Sequence, residues 1–149
     1  MIEKILSTLL FGTIFGLFPI ILFYGGIYTS YFTFYEIKEY FNGFFMNNLN
    51  VYFYAIFGLF SGICFVSNSN FLKVLYLLCA IALSLTFIPS LGKNVGDRLF
   101  LRENTKIVQE GKEQFVRILY RDKYKFYYNT QDNPKVVRVN LNRANLNAN

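Results

Sequence analysis

Residues 5–27 read ILSTLLFGTIFGLFPIILFYGGI, twenty-three positions without a charged side chain. A helix needs roughly 20 apolar residues to cross a hydrocarbon core of about 30 Å. The stretch is too long for the apolar core of a signal peptide, and no small-x-small cleavage pattern follows it, so it reads as a retained anchor. Two further runs have the same character. One extends over residues 51–66 and is short for a span, so it needs either Asn50 and its neighbours at an interface or a locally thin bilayer. The other extends over residues 71–89, with Lys73 near its start and Pro89 taken as its end.

Charge divides the chain. It has 149 residues and a net charge of +6. Residues 1–91 carry Lys4, Lys38 and Lys73 against Glu3, Glu36 and Glu39, which cancel. The whole excess therefore lies in residues 92–149. An apolar front and a basic back predict a membrane domain over 1–91 and a water-exposed domain over 92–141, followed by a flexible, Asn-rich tail over 142–149. Lys93, Arg98 and Arg102 follow the third run directly. Positive residues next to a span are retained on the cytoplasmic side, so the C-terminal domain is expected in the cytoplasm, with these three side chains against anionic lipid.

Composition narrows the chemistry. There is no histidine, which excludes histidine-based triads and histidine-ligated metals. No Asp or Glu lies in any of the three runs, against a proton relay or an intramembrane aspartic protease. Cys64 and Cys79 fall within apolar runs, without metal-ligand spacing. Neither an enzyme nor a metal or cofactor site is expected.

The runs carry small residues instead. Gly12 and Gly16 form one GxxxG pattern, and Gly58 and Gly62 form another, with Ala55 expected on the same side. Ala80 and Ser84 are four apart in the third run. Such spacings let helix backbones approach closely in lipid, either within the chain or against a partner helix. Between the first two runs, residues 29–50 are crowded with aromatics. Phe34, Ile37, Phe41 and Phe45 recur at helical spacing, and Tyr35 sits among them. This segment predicts an interfacial helix, either an aromatic belt or a docking surface for another membrane protein.

The basic third alternates with period two. Candidate strands are Leu99–Arg102, Lys106–Gln109, Gln114–Tyr120, Tyr124–Asn129 and Lys135–Leu141. Val116, Ile118 and Tyr120 are expected on one face, as are Tyr124, Phe126 and Tyr128, and Val137, Val139 and Leu141. The fold class is thus an α+β membrane protein: three transmembrane helices and a small antiparallel sheet, which would curl into an SH3- or OB-like barrel or cover its apolar face with a partner. Nucleic acid is not an expected ligand, because a tethered sheet lies nearer to lipid.

Heavy use of Phe, Tyr, Ile, Asn and Lys matches AT-rich codons and points to a bacterial inner membrane. The expected function is that of a non-enzymatic accessory protein: an assembly factor, chaperone or small subunit of a larger complex, for example an ion-driven machine such as a flagellar stator. An immunity protein against a membrane-active toxin, or a homo-oligomeric channel or carrier, is the alternative.

Overall fold

The computed structural model describes residues 2–109, 112–130, 133–141 and 145–147. Five α-helices precede a five-stranded antiparallel sheet: α1 (Ile2–Ile27), α2 (Phe41–Asn48), α3 (Val51–Val66), α4 (Asn70–Ser84) and α5 (Pro89–Phe100), then β1 (Arg102–Gln109), β2 (Lys112–Arg121), β3 (Lys125–Asn129), β4 (Val137–Asn140) and β5 (Asn145–Asn147). The sheet order is β4-β3-β2-β1-β5. Among the described residues, two helices are long and apolar enough to cross a membrane, one from Ile2 to Phe32 and one from Asn70 to Phe87. Taking α2 and α3 as one bent span makes three.

α1 is the central helix. α3 runs antiparallel to it, with Gly58 against Gly12 and Gly62 against Thr8. α4 runs parallel, with the Tyr76 hydroxyl donating to Phe15 O (2.9 Å) and Thr86 Oγ1 to Phe23 O (3.0 Å). Ile5, Leu9, Ile14, Ile56, Leu59, Leu77 and Ile81 are all exposed. Apolar side chains thus cover the outside of this bundle as well as its interior.

The aromatic segment over 29–50 is not one helix. α1 continues through a π-helical turn, Tyr28–Phe32, and ends two residues later. Glu36 takes a left-handed conformation (φ 54°), Glu36 N–H donates to Thr33 O and Ile37 N–H donates to Phe32 O. These two bonds make a Schellman ending, with Ile37 packed in the same apolar cluster as Phe32. Period-3.6 spacing across Phe34, Ile37, Phe41 and Phe45 therefore bridges two helices and an extended link. Asn50 caps α3 by accepting from Tyr52 N–H and Phe53 N–H, and α2 and α3 meet at 89°.

Three expectations near residue 90 are corrected. Residues 71–89 hold α4, then a 3₁₀ turn (Leu85–Phe87), and Pro89 starts α5 rather than closing the segment. Proline lacks the amide proton that a helix leaves unused in its first turn, so Pro89 suits this start. The boundary between 91 and 92 falls inside α5, and Leu99–Arg102 is not a strand: Leu99 and Phe100 form the last turn of α5, and the sheet begins at Arg102. The other four expected strands coincide with β1 to β4 within a few residues. Asn145–Asn147, expected in the flexible tail, pair with β1 as an edge strand.

The sheet is apolar on both faces. Ile107, Val116, Ile118, Phe126, Tyr128 and Val139 make one cluster, with Leu141 against it. Leu119, Tyr120 and Tyr127 point the other way, into the helices. Tyr120 was expected beside Val116 and Ile118. A register shift between Ile118 and Tyr120 in the β2–β3 pairing lets both Leu119 and Tyr120 be buried. Tyr124, expected beside Phe126 and Tyr128, is 75% exposed because it lies in the β2–β3 turn.

Candidate functional site

The small-residue pairs meet each other. A Cβ on Gly16 would fall 2.6 Å from Gly58 Cα, and a Cβ on Gly12 or Gly62 would strike the backbone oxygen of Gly58 or Thr8. Both GxxxG patterns are thus engaged within the chain. Ala80 is buried and Ser84 is half-buried, its hydroxyl donating to Ile81 O. Ala55 is exposed and does not share the packed face.

A third close-packed pattern has no counterpart among the predicted residues. Gly92 and Gly96 on α5 also follow GxxxG. A Cβ on Gly92 would lie 2.6 Å from Ser30 Cβ, and one on Gly96 would run into the Tyr31 ring. Ser30 Oγ donates to Thr86 O (2.9 Å), and Gly26 faces Thr86. The intervening Lys93-Asn94-Val95 makes this segment polar. Hydropathy therefore hides it, and spacing alone could have found it.

From this contact the chain builds a joint between helices and sheet. α5 and the π-turn bring Tyr31, Phe32 and Phe100 together, α2 adds Phe44, and β2 adds Tyr120. Tyr120 lies 5.1 Å from Phe32, 5.8 Å from Phe44 and 5.7 Å from Phe100, centroid to centroid. Tilted and edge-to-face pairs of this kind contribute about 0.5–1.5 kcal/mol each beyond buried area. The Tyr31 hydroxyl donates to Leu119 O (2.6 Å) across the joint.

Charge closes its far side. Glu39 Oε2 accepts from Lys125 Nζ (2.6 Å) and from the Tyr127 hydroxyl (2.9 Å), while Tyr28 donates to Glu39 O (2.6 Å). The Glu39 side chain is only 6% exposed. Burial opposes its ionisation, but the hydrogen bonds from Lys125, Tyr127 and the Tyr40 amide, with the Lys125 charge, hold the carboxyl below its usual range. Burial and the nearby Glu39 carboxylate push the Tyr127 hydroxyl well up. Tyr120, buried above it, is pushed up to about 12. The set keeps a fixed charge on Glu39 and a fixed proton on Tyr127.

The predicted interfacial aromatics divide. Phe41 and Phe45 are half-buried around Tyr24 and Tyr28. Phe34 is exposed, and Tyr35 donates to Asp97 Oδ1 (2.8 Å). Of the predicted lipid contacts, Lys93 is engaged: it pairs with Asp97 and lies 4.7 Å from the centre of the Phe34 ring. Arg98 and Arg102 are exposed. Among the described residues no group of three His, Cys, Asp or Glu side chains is placed to hold a metal.

Comparison with protein-family models, with curated proteins and with solved structures finds no match to this chain.

Proposed function

We propose that the chain is an integral membrane accessory protein without an enzymatic role, which carries a small β-sheet as a fixed head on the cytoplasmic face of a bacterial inner membrane. Its task in this reading is to support the assembly or action of a larger membrane complex, of which an ion-driven machine such as a flagellar stator is one example. The observation that carries the reading is the joint. Tyr31, Phe32, Phe44, Tyr120 and Tyr127 form one buried cluster drawn from both the helices and the sheet. A head fastened in this way transmits position, and a tethered flexible domain would not. Apolar exposure around α1, α3 and α4 supports the membrane part, and the basic excess after residue 91 supports a cytoplasmic head.

The surfaces left for a partner differ from the sequence expectation. The glycine faces and most of the aromatic segment are spent inside the chain. Exposed surfaces include the outer faces of α1, α3 (with Ala55) and α4, and the head with its exposed Phe115 and Tyr124.

The test is affinity purification of the tagged protein in mild detergent, with mass spectrometry of what stays bound. A membrane protein retained in stoichiometric amount is the expected result. Recovery of the chain alone, as a discrete oligomer, would overturn the accessory role in favour of a self-contained channel or carrier.

A further inference from the structure

Three cations converge on the seam between head and helices. Arg102 starts β1, Arg121 ends β2 and Lys123 lies in the β2–β3 turn. They line a cleft of about 460 Å³, whose helical wall includes Asn47 and Asn48 at the end of α2 and Phe100 at the end of α5. All three cationic side chains are exposed, and none has a carboxylate partner among the described residues. Asp122 also borders the cleft, but its carboxylate is committed: Oδ1 accepts from the Tyr124 and Lys125 amides, and Oδ2 lies 3.8 Å from Lys125 Nζ. The Asn48 amide is spent on Phe44 O (2.7 Å) and the Tyr120 hydroxyl (3.2 Å), so the donors left in the cleft are the three cations, an uncompensated positive charge that suits phosphate oxygens.

We propose that this cleft binds the phosphate of an anionic membrane phospholipid. The source follows from position and rests on the membrane reading above. α2 lies at 89° to α3, so if α3 crosses the bilayer, α2 lies along its surface and its C-terminal Asn47 and Asn48 are at headgroup level. Leu99 on the cleft wall is 54% exposed, which gives an acyl chain an apolar surface next to the cations. A cluster of basic residues at this depth is a recognised lipid-headgroup chemistry. The site replaces Lys93, which Asp97 already neutralises.

The test uses the full-length protein in non-ionic detergent, with phosphatidylglycerol, phosphatidylcholine or inorganic phosphate added separately. Thermal denaturation and native mass spectrometry are the readouts. Phosphatidylglycerol should raise the melting temperature and remain bound as one retained lipid, while phosphatidylcholine should not. The triple variant Arg102→Gln, Arg121→Gln, Lys123→Gln should weaken that binding about tenfold or more. These side chains hold no internal partner, so the variant should melt at the wild-type temperature without lipid. Lys123→Glu alone serves as a second variant and should weaken binding in the same direction. Equal shifts with the two lipids, or a phosphatidylglycerol shift that survives the triple variant, would overturn the proposal. An equal response to inorganic phosphate, lost in the variant, would overturn the lipid source and leave the phosphate chemistry. Carbonate extraction of native membranes tests the membrane reading separately: release of the protein would sink that reading whatever the lipids do.

Discussion

Pro19 sits inside α1, where it removes one amide donor and leaves the carbonyl four residues earlier without its helical bond. That carbonyl belongs to Phe15, and the Tyr76 hydroxyl on α4 donates to it. A proline that would weaken an isolated helix thus becomes an attachment point for a neighbour. Tyr76→Phe should cost about 1–3 kcal/mol, because the Phe15 carbonyl is then left unpaired in an apolar setting. Pro19→Ala restores the amide, so the same Tyr76→Phe change should cost less in that background. A double-mutant cycle on thermal stability in detergent reads the coupling, and additive effects would refute the pairing. Glu36 offers a simpler test of backbone strain. Its left-handed conformation is easy for glycine and costs other residues about 1–2 kcal/mol. Glu36→Gly should therefore raise the melting temperature, and a fall would show that the Glu36 side chain contributes more than the strain costs.

Helix pairs in this fold are selected by what is missing from their surfaces. Gly12, Gly16 and Gly58 bring α1 and α3 into backbone contact, and Gly92 and Gly96 seat α5 against the Ser30 and Tyr31 side chains of the π-turn. Enlarging either contact should separate the helices, with an overpacking cost of about 1–3 kcal/mol. The consequences differ by element. Gly16→Leu should loosen α3 and leave the head attached, whereas Gly96→Leu should displace Tyr31 and free the sheet. Hydrogen exchange distinguishes them: faster exchange in β2 and β3 is expected for Gly96→Leu alone. The α1–α3 contact was legible in the sequence because two GxxxG patterns stood in apolar runs. The α5 contact was not, because Lys93 and Asn94 lower its hydropathy and its last residues, Leu99 and Phe100, suit a strand as well as a helix. The strands were legible from period two, but Tyr120 was assigned to the wrong face. A one-residue bulge changes which side chains share a face, and it leaves no mark on the alternation before it. The joint was hidden for a different reason. The same aromatic composition fits a lipid belt, a docking surface or a core, and only tertiary pairing chooses among them.

Two regions of opposite character become one body at the whole-molecule scale because the joint satisfies both. Its aromatic side resembles the bundle, and its charged side resembles the head. Glu39, Lys125 and Tyr127 close that charged side, with Asp122 3.8 Å from the same lysine. This makes attachment of the head sensitive to acid. The folded Glu39 carboxyl has a pKa below that of the unfolded chain, where a free Glu has a pKa of about 4.3. As pH falls, the unfolded chain takes up this proton first. The stability due to the pair is therefore complete above about pH 4.3 and is lost as pH drops through the folded value. Glu39→Gln keeps a side chain of the same shape and deletes the charge. It should lower stability near neutral pH by about 1.5–3 kcal/mol, the range for hydrogen bonds to charged groups. Its deficit should then shrink as the medium is acidified towards the folded pKa. Melting curves of both from pH 7 to pH 3 provide the check. A constant gap across that range would mean that the carboxylate's charge does not hold the head, and that the aromatic cluster of Tyr31, Phe32, Phe44 and Tyr120 holds it alone.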